Sequence, residues 1–128
     1  MSIEIGKKRF KEIVGSQSDL IIEKLRIASP DFADYVLNFA YGNLYNRAGL
    51  NDKYREIAAV SNLIGQGSTG LPLKTHLKGM LNVGFKKDEI IELIIFLIGY
   101  SGFPRCVEAL LTLNSLDQEN EAISLKTA

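Results

Sequence analysis

Apolar residues recur at helical spacing along almost the whole of this 128-residue chain, and signals for β-strands are nearly absent. No alternating run rich in Val, Ile and Thr lies between two-residue turns, as a β-hairpin would require. No repeat or linker divides the chain, and its length is typical of one domain. The sequence therefore predicts an all-α fold, a single-domain helical bundle of about six to seven helices over residues 1–128.

Residues that start or stop helices mark most of the predicted boundaries. Ser29 and Pro30 are suited to an N-cap and a first-turn proline. Gly84 is placed to end a helix in the left-handed conformation. The first 28 residues are predicted to form two short helices divided by Gly15 and Ser16. The later predicted helices span about 30–43, 51–66, 71–83, 88–99 and 104–117.

The predicted helix 88–99 is apolar on all sides. Its apolar residues surround the helix axis and form no single stripe: Ile90, Ile91, Leu93, Ile94, Ile95, Phe96, Leu97 and Ile98. A helix of this kind has to be buried all round, and a short chain has little material to cover it. We therefore expect a homo-oligomer. The alternative is a central helix enclosed by its own neighbours in one chain.

Charge and cysteine content exclude several classes of protein. Lys and Arg total 15, Asp and Glu total 15, and no run of five like charges occurs, so no nucleic-acid-binding face is expected. Residues 90–100, the most apolar run, are interrupted by Glu92 and are far shorter than the ~20 residues of a membrane span. The single cysteine and the absence of a signal-like N-terminus predict a cytoplasmic protein without membrane attachment.

His76, the only histidine, is the first candidate for proton transfer. It lies within a predicted helix that follows a glycine-rich break, and Glu56 lies on the helix before that break. If the two helices pack side by side, the carboxylate could orient the imidazole. The alternatives are a structural or merely exposed histidine and a solvated ion pair of Glu56 with Arg55. Too few ligands surround His76 for a metal site.

Arg47 is the candidate for binding a carboxylate, because its guanidinium donates two parallel hydrogen bonds. Tyr41 and Tyr45 precede it in the same loop. The alternative is an arginine paired within the fold. The start of the last helix, at Tyr100 to Pro104, could present backbone N–H groups to an anion. Cys106, two residues into that helix, is either a thiolate stabilised by the helix dipole or a small buried apolar residue.

Five stretches, taken together in order and spacing, resemble the carboxymuconolactone decarboxylase family. They are residues 32–50, 55–60, 73–84, 88–92 and 99–104, and the resemblance covers about residues 20–115. It implies an alkyl hydroperoxidase D-like helical fold and ring-shaped homo-oligomers, with a hexamer or a trimer expected. One branch of this family carries a C-x-x-C dithiol before its histidine. Here Thr69 and Pro72 hold those positions, so a dithiol peroxidase relay is excluded.

The branch without the dithiol implies a decarboxylase that needs no cofactor and no metal. The resemblance implies a 4-carboxymuconolactone decarboxylase-like carboxy-lyase of aromatic compound catabolism, acting on a small carboxylated lactone. In this interpretation His76 donates a proton and Glu56 orients it or keeps it protonated. Arg47 binds a substrate carboxylate. Tyr45, Tyr100 and the helix start near Phe103 complete the substrate-binding site and stabilise the developing oxyanion.

Two other functions stay open at this point. The first is an oligomeric protein of the same family that binds a small molecule without catalysis. The second is a redox protein that uses Cys106 with an external thiol. The resemblance fixes the family and leaves the substrate open, because site chemistry decides function within a fold.

Overall fold

The computed structural model describes the backbone of residues 3–127 and the side chains of residues 3–117. Over this backbone the chain forms helices and no β-strand, which confirms the predicted all-α class. The seven α-helices are α1 Ile3–Val14, α2 Ser18–Ala28, α3 Pro30–Tyr35, α4 Asp52–Gly65, α5 Leu71–Asn82, α6 Lys87–Ser101 and α7 Phe103–Thr127. None of the helices in the described part combines the length and apolarity needed to cross a membrane.

Most of the predicted helix boundaries are confirmed in atomic detail. The Ser29 side chain accepts a hydrogen bond from the Phe32 N–H at 3.2 Å and caps α3, and Asn51 Oδ1 caps α4 through the Tyr54 N–H at 3.1 Å. Gly84 has a φ of 109°, as a left-handed residue after α5 requires. The last helix was expected to end near residue 117, but α7 continues to Thr127.

The chain divides between Arg55 and Glu56, within α4, into two compact units. The single-domain organisation expected from the sequence stays a prediction. The first unit holds α1 to α3, the second most of α4 with α5 to α7.

In the first unit the predicted helix 30–43 is not one regular α-helix. After α3 the chain continues as a π-helix, Val36–Tyr41, whose wider turn is closed by the Gly42 N–H on the Leu37 carbonyl at 2.8 Å. Tyr41 packs edge-on against Phe10 of α1, with ring centroids 4.7 Å apart, and stacks on Tyr45 at 4.5 Å. These aromatic contacts join α1 to the loop that holds Arg47.

The second unit has an apolar core to which all four of its helices contribute. Val60 and Ile64 come from α4, and the rest from α5, α6 and α7: Leu73, Leu77, Met80, Ile90, Ile94, Leu97, Cys106, Ala109, Leu113 and Leu116. On α4 and α5 these residues recur at spacings of three and four, so each helix turns one stripe to the core.

The approach of α1 to the π-helix predicts that Gly6→Ala is strongly destabilising. A Cβ atom at position 6 would lie 1.7 Å from the Leu37 carbonyl oxygen, which is backbone and cannot rotate away. We expect a loss of about 3 kcal/mol in the free energy of unfolding, measured by chemical denaturation. Gly49→Ala is the control, because nothing lies within 4 Å of its added Cβ. Equal stability of the two variants would contradict the close approach.

Candidate active site

Glu56 and His76 meet in the second unit, as the sequence analysis predicted. The Glu56 Oε1 atom lies 2.9 Å from His76 Nδ1. The Glu56 side chain is completely buried, whereas the His76 side chain is 19% exposed. The alternative of a solvated ion pair between Glu56 and Arg55 is wrong, because Arg55 pairs with Asp52 at 3.0 Å.

The helix register explains why these two side chains meet. Glu56 precedes the buried residues Val60 and Ile64 by four and eight positions, so it lies on the core-facing stripe of α4. His76 lies between Leu73 and Leu77 on the corresponding stripe of α5. The polar pair therefore lies beside the residues that α4 and α5 contribute to the core of the second unit. Rigid helices, and not a loop, fix its geometry.

The polarity of the pair depends on the charge of Glu56. An ionised carboxylate only accepts hydrogen bonds, so with an ionised Glu56 the contact places a proton on Nδ1 of His76. Nε2 is then the ring atom left to give or take a proton, on a side chain that is 19% exposed. This is the arrangement that general acid–base catalysis by histidine requires. Among the residues with described side chains, no three of the types His, Cys, Asp and Glu are grouped to hold a metal ion.

The four predicted substrate-binding residues fall in different units. Tyr100 and Phe103 lie in the second unit, at the end of α6 and the start of α7, and are 79% and 66% exposed. Tyr45 and Arg47 lie in the first unit, where both line a cavity of about 590 Å³. Their roles in binding a substrate stay predictions.

This cavity contains residues that sequence analysis did not single out. Lys8 and Arg9 of α1 line it together with Arg55, at the beginning of α4. The sequence carries no signal for this cluster, because the residues are separated by more than forty positions and meet only through tertiary packing.

Cys106 is a core residue, as one of the two predicted alternatives held. It is 2% exposed and belongs to the apolar core of the second unit. Burial raises the pKa of the Cys106 thiol above its ordinary value. The thiolate, which is the reactive form, is therefore disfavoured near neutral pH.

A thiol-labelling experiment tests this assignment of Cys106. We expect a disulfide reagent such as dithionitrobenzoate to label the native protein about 100-fold more slowly than the protein in guanidinium, with a rate that increases as the pH rises. We also expect Cys106→Ser to leave peroxide consumption unchanged. Rapid labelling of the native protein at pH 7 would return the redox alternative to consideration.

Comparison with known proteins shows to which family the chain is similar. The model of the carboxymuconolactone decarboxylase family matches residues 30–114, a range that contains Glu56 and His76. A nitrosuccinic acid decarboxylase of Metarhizium robertsii is 30% identical over 123 residues, which is 91% of this chain and 84% of that protein. A 4-carboxymuconolactone decarboxylase of Acinetobacter baylyi is 32% identical over 83 residues, 65% of this chain and 61% of that protein. The match thus spans less than two thirds of the second relative.

Proposed function

We propose that this chain, which belongs to the carboxymuconolactone decarboxylase family, is a decarboxylase. Its substrate is a small organic acid, and His76 is the proton donor. The observation that carries the proposal is the 2.9 Å contact of a fully buried Glu56 with His76 Nδ1. A buried carboxylate holds the ring in one orientation and leaves Nε2 for the reaction. The names of both relatives support decarboxylation as the reaction type.

The proposed reaction balances without an added cofactor. The bond between the carboxylate carbon and its neighbour breaks, carbon dioxide leaves, and the electron pair stays on the substrate. An electron-withdrawing group on the substrate takes up this charge, and the carbanion then receives the Nε2 proton of His76 in its imidazolium form. This leaves a neutral ring with its proton on Nδ1, and solvent returns the proton to Nε2. Electron flow thus ends within the substrate, and the protein supplies a proton and a fixed geometry.

The names of the two relatives suggest the substrate class. A lactone carbonyl in 4-carboxymuconolactone and a nitro group in nitrosuccinic acid can each delocalise the charge that decarboxylation leaves. We propose the same class for this chain, a small acid with a carbonyl or nitro group placed to delocalise the electron pair that the departing carboxylate leaves behind. Arg47 is proposed to bind a carboxylate of the substrate, and Tyr45, Tyr100 and Phe103 to contact its body.

Paired substitutions separate the roles of His76 and Glu56. We expect His76→Gln to lower kcat by about 100-fold or more while ligand affinity changes little, because the proton donor is lost. Glu56→Gln keeps an oxygen that can accept from Nδ1 but removes the negative charge, so kcat falls with KM nearly unchanged. Turnover is measured by ultraviolet absorbance with 4-carboxymuconolactone and by carbon dioxide release with nitrosuccinate.

Glu92→Gln is the matched control for Glu56→Gln, because Glu92 is an exposed carboxylate on α6. It should turn over like the wild type, and circular dichroism should show all variants folded. Full activity of folded His76→Gln would contradict the proposed proton donor. Binding of these acids without turnover by the wild type would instead favour the non-catalytic binding protein.

We also propose that the protein is a homo-oligomer, with a hexamer or a trimer expected, assembled through the outward faces of α6 and α7. The predicted alternative, a central helix enclosed by its own chain, is wrong: α6 buries Ile90, Ile94 and Leu97 but leaves other apolar residues exposed. The outer apolar face consists of seven large residues, each at least 42% exposed: Ile95, Phe96, Tyr100, Phe103, Val107, Leu110 and Leu111. An exposed apolar surface of this kind is typical of an interface. The formal net charge of the chain is zero, so no net charge opposes the association of copies.

Light scattering tests the outer apolar face as an interface. We expect the wild type to be oligomeric at micromolar concentration and the double variant Phe96→Glu, Leu111→Glu to dissociate, since each charge would have to be buried. Leu20→Glu, at a 47% exposed residue of α2, is the control and should keep the wild-type mass. A monomeric wild type, or an unchanged mass in the double variant, would contradict the proposal.

A further inference from the structure

The first unit contains a second cavity, of about 380 Å³, none of whose lining residues has a role in the proposed decarboxylation. Most of the lining comes from α2, where the residues recur three and four positions apart and so share one face of the helix. The rest comes from α1 and the π-helix. The volume lies within the range of about 300–1,000 Å³ that is usual for small-molecule sites.

The buried part of this lining is largely apolar. Phe10 and Leu37 are buried and Ile22 is partly buried. Phe10 is also held by its edge-on contact with Tyr41, at 4.7 Å between ring centroids. A surface of this kind favours the hydrocarbon part of a ligand, because binding removes apolar surface from water.

Ser18, the first residue of α2, is the polar exception in the buried part of the lining. It is 3% exposed, and no described side chain or backbone group is a hydrogen-bond partner of its hydroxyl. Buried polar groups are normally hydrogen-bonded. An unpartnered hydroxyl that lines a cavity therefore points to a ligand with a hydrogen-bonding group at this place.

The two cationic side chains of the lining already have anionic partners. Lys7 Nζ lies 3.6 Å from a carboxylate oxygen of Glu4, and Arg26 donates to Asp34 Oδ1 at 2.9 Å. Neither Glu4 nor Asp34 lines the cavity. Each of these ion pairs is neutral as a whole, so the pairs supply no excess positive charge to a ligand.

The two anionic side chains of the lining, Asp19 and Glu23, are unpaired. Among residues 3–117 neither has a hydrogen-bond or ion-pair partner, and both are exposed. They lie four positions apart on α2, a spacing at which like charges repel each other. Asp19 is in the first turn, where the helix dipole favours a negative charge, but Glu23 lies beyond it. A bound cation would compensate both carboxylates.

We propose that this cavity binds a small organic ammonium ion. The hydrocarbon body of the ligand lies against the apolar part of the lining, and its ammonium group donates to Asp19, Glu23 and the Ser18 hydroxyl. A primary ammonium has three N–H donors and no acceptor, which matches three side chains that can each accept a hydrogen bond. The excess negative charge of the site disfavours carboxylate ligands. The inference concerns binding in the first unit and does not depend on the proposed function.

Isothermal titration calorimetry on the full chain, at pH 7 and fixed ionic strength, tests the proposal. The probe is hexylammonium. Three comparison ligands each change one property: hexanol lacks the charge, hexanoate reverses it, and methylammonium lacks the hydrocarbon body. We expect hexylammonium to bind at least about fivefold more tightly than each of the three, because only hexylammonium satisfies both parts of the lining.

Substitutions of the two carboxylates locate the binding site. Asp19→Asn and Glu23→Gln should each weaken hexylammonium binding about fivefold, because each removes one charge-assisted hydrogen bond at an exposed position. Asp31→Asn is the matched control. Asp31 is likewise an exposed aspartate in the first turn of its helix, α3, but it does not line the cavity. It should bind hexylammonium as the wild type does.

Several results would overturn the proposal. They are no binding of hexylammonium, equally tight binding of any comparison ligand, and unchanged affinity in both Asp19→Asn and Glu23→Gln. A fivefold loss in Asp31→Asn would also overturn it, since the effect would then come from the charge of the whole chain and not from the cavity. Circular dichroism checks that the variants are folded.

Discussion

A carboxylate with no exposed surface needs a compensating partner, and in the second unit His76 is a partner of this kind for Glu56. Removing one member of a buried pair leaves the other unpaired in the protein interior, which is costly. The contact therefore constrains more than the two residues that form it. It joins α4 to α5, and nearby residues of the two helices, Val60, Leu73 and Leu77, belong to the core of the second unit.

The same contact connects stability with chemistry. The His76 side chain contacts the buried Glu56 carboxyl and is itself 19% exposed, so the ring is held in place while part of its surface is open to solvent. A histidine held on two packed helices keeps its geometry more precisely than one on a loop. Cys106 differs from His76 in its surroundings: it is buried in the apolar core, and burial raises the pKa of its thiol. The cysteine is structural here, and the group that we propose to transfer a proton, His76, lies where α4 meets α5.

Local sequence signals predicted much of the fold. Ser29, Asn51 and Gly84 act through hydrogen bonds or backbone angles within a few residues of themselves, so their positions could be interpreted without tertiary information. The Glu56 and His76 pair was predictable because the two residues lie on consecutive helices on either side of one glycine-rich break. The π-helix, Val36–Tyr41, was not, because it depends on the fit of its backbone against Gly6 in α1.

The cavity of about 590 Å³ in the first unit was not predicted, for a related reason. Arg9 and Asp52 are 43 positions apart, and nothing in either local sequence indicates that they form an ion pair. The outer apolar face was predicted only in part. Periodicity showed that α6 is apolar all round, whereas only the structure shows which residues the chain itself buries and which it leaves exposed.

Nuclear magnetic resonance of the single histidine tests the Glu56–His76 contact most directly. Because the chain has one histidine, the ring signals in a long-range ¹H–¹⁵N spectrum of ¹⁵N-labelled protein need no further assignment. At a pH where the ring is neutral, the contact predicts a proton on Nδ1 and an unprotonated Nε2, with a shift of the Nδ1 signal in Glu56→Gln. A neutral ring protonated on Nε2, or a spectrum unchanged by Glu56→Gln, would contradict it.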